Sequence, residues 1–409
     1  MEMKNQRNLL TLPIIDRMFI KPIEFYFLRK SHVERLLIKQ IITSITEKAR
    51  ECRKSYYSYQ RANSNNIKFL FLKNKKKIYN IMTVDKGYVD APIEEGVNLV
   101  EEIAKLKKEK NAVILAHYYQ RDEVQAIADF IGDSLALAQK AAQTDADVIV
   151  SCGVNFMGET AKILSPKKKV LVPDLNAGCS LADSCKAEDL QRFIDENPGH
   201  VVVSYANTTA EVKALTDVVV TSSNACQIVE SFPADQKIIF GPDRNLGNYI
   251  NSLTGRQMKL WDGACMVHEK FSLQKLVGLK QQYPQAKVLA HPECKKSLLV
   301  LADKVGSTKG LLDYAIKSDA RQFIVVTESG ILYEMKKACP DKEFIPAPPD
   351  DSTCACNECF YMRMNTLEKI YNCLKFEAPE IEISEELCER AVRPINKMLE
   401  ISKQLVLIK

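Results

Sequence analysis

Nine short apolar runs, rich in β-branched residues, punctuate the chain from residue 114 onwards. They fall at 114–117, 148–152 and 170–173, then at 201–205, 218–222 and 238–241, then at 288–291, 323–327 and 344–347. Runs this short and continuous predict strands buried on both faces. Between them, apolar residues recur at helical spacing. Helices are predicted over 94–109, 124–130, 134–143, 157–164, 273–281, 295–305 and 311–317. Two further helical stretches, 362–371 and 385–405, are expected to pack across the rest. Strands alternating with helices predict parallel sheets covered on both faces, with ligands beyond the carboxyl ends of the strands.

The runs group in threes, and the groups repeat. A displacement of 174 residues brings Leu115, Ala116 and His117 onto Leu289, Ala290 and His291. It also brings Ala128 and Asp129 onto Ala302 and Asp303, Gly132 onto Gly306, Leu137 onto Leu311 and Ala141 onto Ala315. The middle group shares the pattern but little identity. A period of roughly 90 residues is too long for a solenoid and suits fused α/β modules. The expected modules are 82–183, 184–270 and 271–360, with the helices of 361–409 packed on them. In each, a cysteine (Cys179, Cys265, Cys359) is expected in the loop after the third run.

Charge separates a different kind of sequence ahead of these modules. Residues 1–81 carry 18 Lys/Arg against 6 Asp/Glu, and the remainder 39 against 46. The first 86 residues contain none of the 15 glycines. This stretch holds a lysine run at Lys73, Lys75, Lys76 and Lys77. It is expected to be a poorly ordered extension, or an upstream reading beyond the true start. A nucleic-acid or acidic-membrane arm and an organelle transit peptide are the alternatives. For the core, neither nucleic acid nor membrane is expected as a partner. No stretch approaches the ~20 apolar residues of a membrane span. Thirteen cysteines do not read as a secreted disulfide framework. A reducing, cytoplasmic setting is expected, with the thiols as metal ligands, reactive groups or buried apolar residues.

Candidate chemistry gathers at the predicted strand ends. The first run of each group ends in His117, Tyr205 and His291, and two residues on stand Tyr119, Asn207 and Glu293. Threefold placement points to one shared cavity. Hydroxyl residues stand at three predicted helix starts: Ser134 after Gly132-Asp133, Ser307 and Thr308 after Gly306, and Ser222 beside Ser223-Asn224. Helix N-termini present unpaired N–H groups, so the set suits an anionic ligand with several carboxylate or phosphate groups. No G-x-G-x-x-G follows a strand and no P-loop occurs, so a nucleotide site is not indicated. Three equivalent cysteines suit an iron–sulfur cluster with one iron left open as a Lewis acid. Two rivals stay open. Cys356 and Cys359 could form half of a zinc or redox site. Alternatively, the same three thiols could serve an iron–sulfur hydro-lyase acting on a single hydroxy acid. His268, three residues after Cys265, is a candidate ligand or base.

The longer motifs carry a resemblance. Ala116-His117-Tyr118-Tyr119-Gln120, Gly132-Asp133-Ser134-Leu135, Cys152-Gly153-Val154-Asn155-Phe156-Met157, Ser204-Tyr205-Ala206-Asn207-Thr208-Thr209, the segment Gly263 to Glu269, and Ala290-His291-Pro292-Glu293-Cys294 resemble quinolinate synthase, in order, over about residues 90–375. The resemblance implies three Rossmann-like α/β/α modules, each with a small parallel sheet, around a pseudo-threefold axis with a central active site. It implies a 4Fe-4S cluster on Cys179, Cys265 and Cys359. It implies condensation of iminoaspartate with dihydroxyacetone phosphate to quinolinate, phosphate and two waters, in NAD biosynthesis. A functional link to an aspartate-oxidising enzyme follows from the pathway. His117, Ser134, Ser222, His291 and Thr308 would hold the substrate's charged groups, with Ser307 and Asn155 as neighbours. Tyr119, Tyr205, Asn207 and Glu293 would surround the reacting carbons. Some members carry C-x-x-C-x-x-C at the last ligand. Here Thr353 breaks that pattern and Cys354 is out of register, which puts a thiol–disulfide switch in doubt.

Overall fold

The computed structural model describes residues 86–351 and 357–405. The basic extension, Cys354 and Cys356 lie outside those residues. Among the described residues, twelve strands form three four-stranded sheets, and every pairing within them is parallel. The first sheet contains β1 (Ala112–His117), β2 (Phe130–Gly132), β3 (Val148–Cys152) and β4 (Lys169–Leu171). The second contains β5 (Val201–Tyr205), β6 (Val218–Val220), β7 (Ile238–Gly241) and β8 (Lys259–Leu260). The third contains β9 (Lys287–Ala290), β10 (Lys304–Val305), β11 (Gln322–Val326) and β12 (Glu343–Pro346). Their orders are β2-β1-β3-β4, β6-β5-β7-β8 and β10-β9-β11-β12, so one topology occurs three times. In each, the first and third strands of the module are neighbours and the chain leaves them in opposite directions. That is the arrangement that opens a crevice beyond the carboxyl ends.

The same staple recurs in all three modules. An aspartate 15 residues after a position in the first strand accepts that residue's N–H: Asp129 from Ile114 (2.7 Å), Asp217 from Val202 (2.8 Å) and Asp303 from Val288 (2.8 Å). Each aspartate's own N–H returns to the carbonyl of the same strand residue. A hydrogen bond to a charged group contributes about 1.5–3 kcal/mol. Here it pins the start of the second strand to the first. Asp217 therefore places the middle module in the repeat where identity alone was thin.

Three expectations need correction. The edge strands β2 and β10 replace the ends of helices predicted over 124–130 and 295–305; those helices stop at Ile127 and Leu299. In the middle module, 218–222 is the counterpart of β2 and β10, not of β3 and β11. Consequently Cys265 follows an extra strand, β8, and not the third run at 238–241. All three cysteines follow the fourth strand of their sheet. The segment predicted as a helix over 362–371 is a 3-10 turn, Met362–Met364, followed by a helix, Leu367–Phe376.

Two helices lie towards the C-terminus. Glu385–Gln404, capped by Ser384, buries Cys388, Ala391, Ile395 and Met398 against β6 and the rest of the second module's core. Leu367–Phe376 buries Ile370, Cys373 and Leu374 against the outer face of the first sheet. Among the described residues, no helix is long and apolar enough to cross a membrane.

Candidate functional site

One cavity is lined from all three modules by residues beyond the strand ends. His117 ends β1, Tyr205 ends β5, and His291 follows β9; Tyr119, Asn207 and Glu293 stand two residues on, and all six line the cavity. The turn that places them is repeated. Tyr119 N–H donates to His117 Nδ1 (3.2 Å) and Glu293 N–H to His291 Nδ1 (3.4 Å). With Nδ1 accepting, each ring carries its proton on Nε2. His291 Nε2 lies 3.2 Å from Ser222 Oγ, which joins the third module to the second. Ser134 and Thr308 begin helices of 10 residues each, and both line the cavity. Two predicted neighbours do not line it. Ser307 caps the helix, its Oγ accepting from Gly310 N–H, and Asn155 Nδ2 donates to the Leu175 carbonyl.

A chain of polar side chains joins the two tyrosines. Tyr205 donates to Glu293 Oε1 (2.6 Å), and Glu293 Oε2 lies 3.0 Å from His268 Nδ1. His268 Nε2 meets Thr327 Oγ1 at 3.0 Å, and Tyr119 Oη meets Thr327 Oγ1 at 2.7 Å and Thr308 Oγ1 at 2.8 Å. The rings of His268 and His291 stack at 4.7 Å. Burial would push the Glu293 carboxyl up, but His268 beside it pulls it well below the usual carboxylate range. Burial pushes both Tyr119 and Tyr205 well above the usual phenol range. The cavity therefore sets the Glu293 carboxylate in a hydrogen-bonded chain with two protonated phenols, a division of labour suited to acid–base chemistry.

His117 and His291 are driven down to about 3 by burial, against an upward pull from Glu293. They bind as neutral donors, not as cations. The unfolded chain takes up these protons near 6.5 and the folded chain only near 3, so between those values the unfolded state binds more protons. Their contribution to stability is complete above pH 6.5 and is lost as the pH falls through about 3. In the metal-free protein, the ring resonances of His117 and His291 are expected to stay fixed from about pH 8 to pH 5. A titration of either near 6.5, seen by NMR, would contradict this burial argument.

The three cysteines reach the same cavity from three modules. Neighbouring backbone N–H groups pull each thiol down: those of Ala182 and Leu181 at Cys179, that of His268 at Cys265, and those of Met362 and Tyr361 at Cys359. Burial nevertheless pushes the thiols up, Cys179 to about 12, Cys359 to about 11 and Cys265 well above its ordinary value. Thiols supplied with N–H donors yet kept neutral by burial fit a metal group whose positive charge would take them as thiolates. A second donor set overlaps this one. Ligand atoms of Cys265, His268 and Glu293 lie within 4.8 Å of one another. His268 and Glu293 already engage Thr327 and Tyr205, so Cys265 is the member of that set left for a metal.

Sequence reasoning missed four supports of the site. Thr327 joins Tyr119 to His268. Asp133 caps the helix Ser134–Gln143 and accepts the Ser223 hydroxyl (2.7 Å), tying the first module to the second. Lys213 is fully buried and donates to the carbonyls of Ala206 and Thr208, which flank Asn207. Burial lowers its ammonium to about 8, with Glu159 pulling the other way. Glu328 lines the cavity beside Cys359. For Thr327 alone the sequence held a usable signal, since it ends an apolar run as His117 does.

Comparison with known proteins agrees with this geometry. The family described as quinolinate synthetase A protein matches residues 101–400. The quinolinate synthase of Chloroherpeton thalassium is 58% identical over 307 residues, covering 75% of this chain and 95% of the relative. That of a Synechococcus strain is 55% identical over 321 residues, covering 78% and 99%. That of a Synechocystis strain is 57% identical over 314 residues, covering 76% and 98%. A match of this length and identity, on a fold whose cavity gathers the motif residues, establishes that the chain belongs to the quinolinate synthase family.

Proposed function

We propose that the enzyme condenses iminoaspartate with dihydroxyacetone phosphate, giving quinolinate, phosphate and two waters, and that Cys179, Cys265 and Cys359 hold a 4Fe-4S cluster. The observation that carries this reading is the meeting, in one cavity, of two helix-start hydroxyls (Ser134, Thr308), the turn hydroxyl of Ser222, a carboxylate–phenol set and three thiols from separate modules. The two substrates bring two carboxylates and one phosphate, and Ser134, Ser222 and Thr308 offer one anion-binding position per module. His117 and His291 add neutral Nε2–H donors, and Asn207 orients the reacting carbons. Glu293 is placed to take the proton released as the carbon–carbon bond forms. Tyr205, hydrogen-bonded to Glu293, and Tyr119 are placed to protonate hydroxyls as they leave. A bound cluster with one cysteine-free iron supplies Lewis acidity toward a substrate oxygen. The reaction needs no oxidant, because the atoms of the two substrates equal those of the products. The reading places the enzyme in the cytoplasm, downstream of an aspartate-oxidising enzyme.

An anaerobic assay with both substrates separates this reading from its rivals. Phosphate and quinolinate are expected in equal amounts, with neither formed when one substrate is omitted. Dehydration of a single hydroxy acid without phosphate release would point instead to a hydro-lyase. Bound zinc with no visible absorption would point to a zinc protein.

A further inference from the structure

We infer, on the reading that the three cysteines hold a cluster, that Asp243 and Glu328 are positioning residues that preset two of the three ligand loops. Both stand two residues beyond the third strand of their module, Asp243 after β7 and Glu328 after β11. Both are buried, at 0% and 1% exposure. Each uses one oxygen locally and the other on a cysteine. Asp243 Oδ1 accepts the N–H groups of Asn245 (2.7 Å) and Leu246 (3.0 Å), capping the helix Arg244–Thr254. Its Oδ2 accepts the Cys265 N–H at 2.8 Å. Glu328 Oε2 accepts the Gly330 N–H (2.6 Å) ahead of the helix Ile331–Ala338. Its Oε1 accepts the Cys359 N–H at 3.1 Å, with Arg363 Nη2 3.5 Å away.

The two grips are equivalent in topology although they differ in residue type. Each ties the rigid end of a central strand to a cysteine that follows much later in the chain. The first module ties its cysteine loop from the same place by other means. There Asn155, in the segment after β3, donates its N–H to Ala177 O (2.8 Å) and its Nδ2 to Leu175 O (2.5 Å). The device is specific for an acid. A carboxylate accepts on both oxygens, whereas an amide offers one acceptor and one NH₂. In either orientation an amide at 243 or 328 turns its NH₂ toward a backbone N–H. Gly330 shows how closely the third-module grip is packed, since a Cβ there would lie 2.8 Å from Tyr119 Cα and 2.9 Å from Glu328 Oε2. Residues that orient the groups ligating a metal typically change retention about 10–100-fold when removed.

The test uses the full chain, reconstituted anaerobically with iron and sulfide and then challenged with an iron chelator. Loss of visible absorption is followed in the wild type, Asp243→Asn, Glu328→Gln and Asp303→Asn. Asp303 makes the same kind of carboxylate-to-backbone bond to a first strand, away from the cysteines, so it controls for general loosening. Asp243→Asn and Glu328→Gln are each expected to release iron about 10–100-fold faster than the wild type. Asp303→Asn is expected to stay within about twofold on the same reasoning. If one of the first two is not recovered folded, as judged by circular dichroism, the other decides. Wild-type release from the folded carboxylate variants, or equal acceleration in all three, would overturn the assignment. A wild-type chain that takes up no iron would overturn the cluster reading itself, which is a separate result.

Discussion

Glu293→Gln is expected to keep the visible absorption of the cluster and to lose turnover by about 10²–10⁴-fold, the range of general acid–base catalysis. The substitution preserves size and removes only the charge and one acceptor. In the native site both carboxylate oxygens are engaged, Oε1 with the Tyr205 hydroxyl and Oε2 near His268 Nδ1. An amide can accept from one of these and must turn its NH₂ toward the other. It cannot take a proton from a substrate carbon. Among the described residues, no hydrogen bond joins the Glu293 side chain to Cys179, Cys265 or Cys359 themselves, so cluster content should stay at the wild-type level. Anaerobic steady-state assays set against iron content check both halves of the prediction. Full turnover in a cluster-loaded Glu293→Gln enzyme would remove Glu293 from the chemistry.

The second large effect is on the thiols. Cys179→Ser, Cys265→Ser and Cys359→Ser should each lower bound iron from about four per chain to below about one, with turnover falling to the assay floor. A serine hydroxyl is a harder and far less acidic donor than a thiol, and these three thiols line one cavity from three modules. Cys226→Ser is the contrast. That cysteine belongs to the helix Ala225–Glu230, outside the cavity lining, and its replacement should leave iron content unchanged. Retention of full iron by any of the three cavity variants would dismantle the proposed ligand set.

Much of the fold was legible because its central strands are long enough to show. Runs such as Val148–Cys152 and Val201–Tyr205 are buried along nearly their whole length, and burial on both faces writes an unbroken apolar run into the sequence. The edge strands wrote almost nothing. Lys304–Val305 and Lys259–Leu260 are two residues each and half-exposed, so neither periodicity nor composition distinguishes them from a helix end or a loop. Missing them shifted the middle module by one strand. The helix Arg244–Thr254 was missed for a different reason. Asn245, Asn248 and Asn251 are weak helix formers, and the helix is specified by its Asp243 cap and its packing.

At the site, what could be read was whatever the repeat made conspicuous. His117, Tyr205 and His291 stand at one topological position, and Tyr119, Asn207 and Glu293 at the next, so three modest signals reinforced one another. The supports had no such help. Asp243 and Glu328 look like ordinary loop acids, and their decisive partners lie 22 and 31 residues away in the chain. Lys213 reads as a surface lysine on a short helix, yet it is buried with its ammonium donating to the carbonyls on either side of Asn207. Pairings across a fold of this kind leave no local trace in a single sequence.

Convergence of three thiols from three modules on one cluster underlies the whole proposed chemistry. It is tested most directly by an anomalous difference map, recorded at the iron edge, from crystals grown without oxygen. The account predicts one compact iron cluster bounded by Cys179, Cys265 and Cys359, with its remaining corner facing Glu293 and the two tyrosines. A lone metal held by Cys265, His268 and Glu293, or a cavity without iron in protein that turns over, would contradict it.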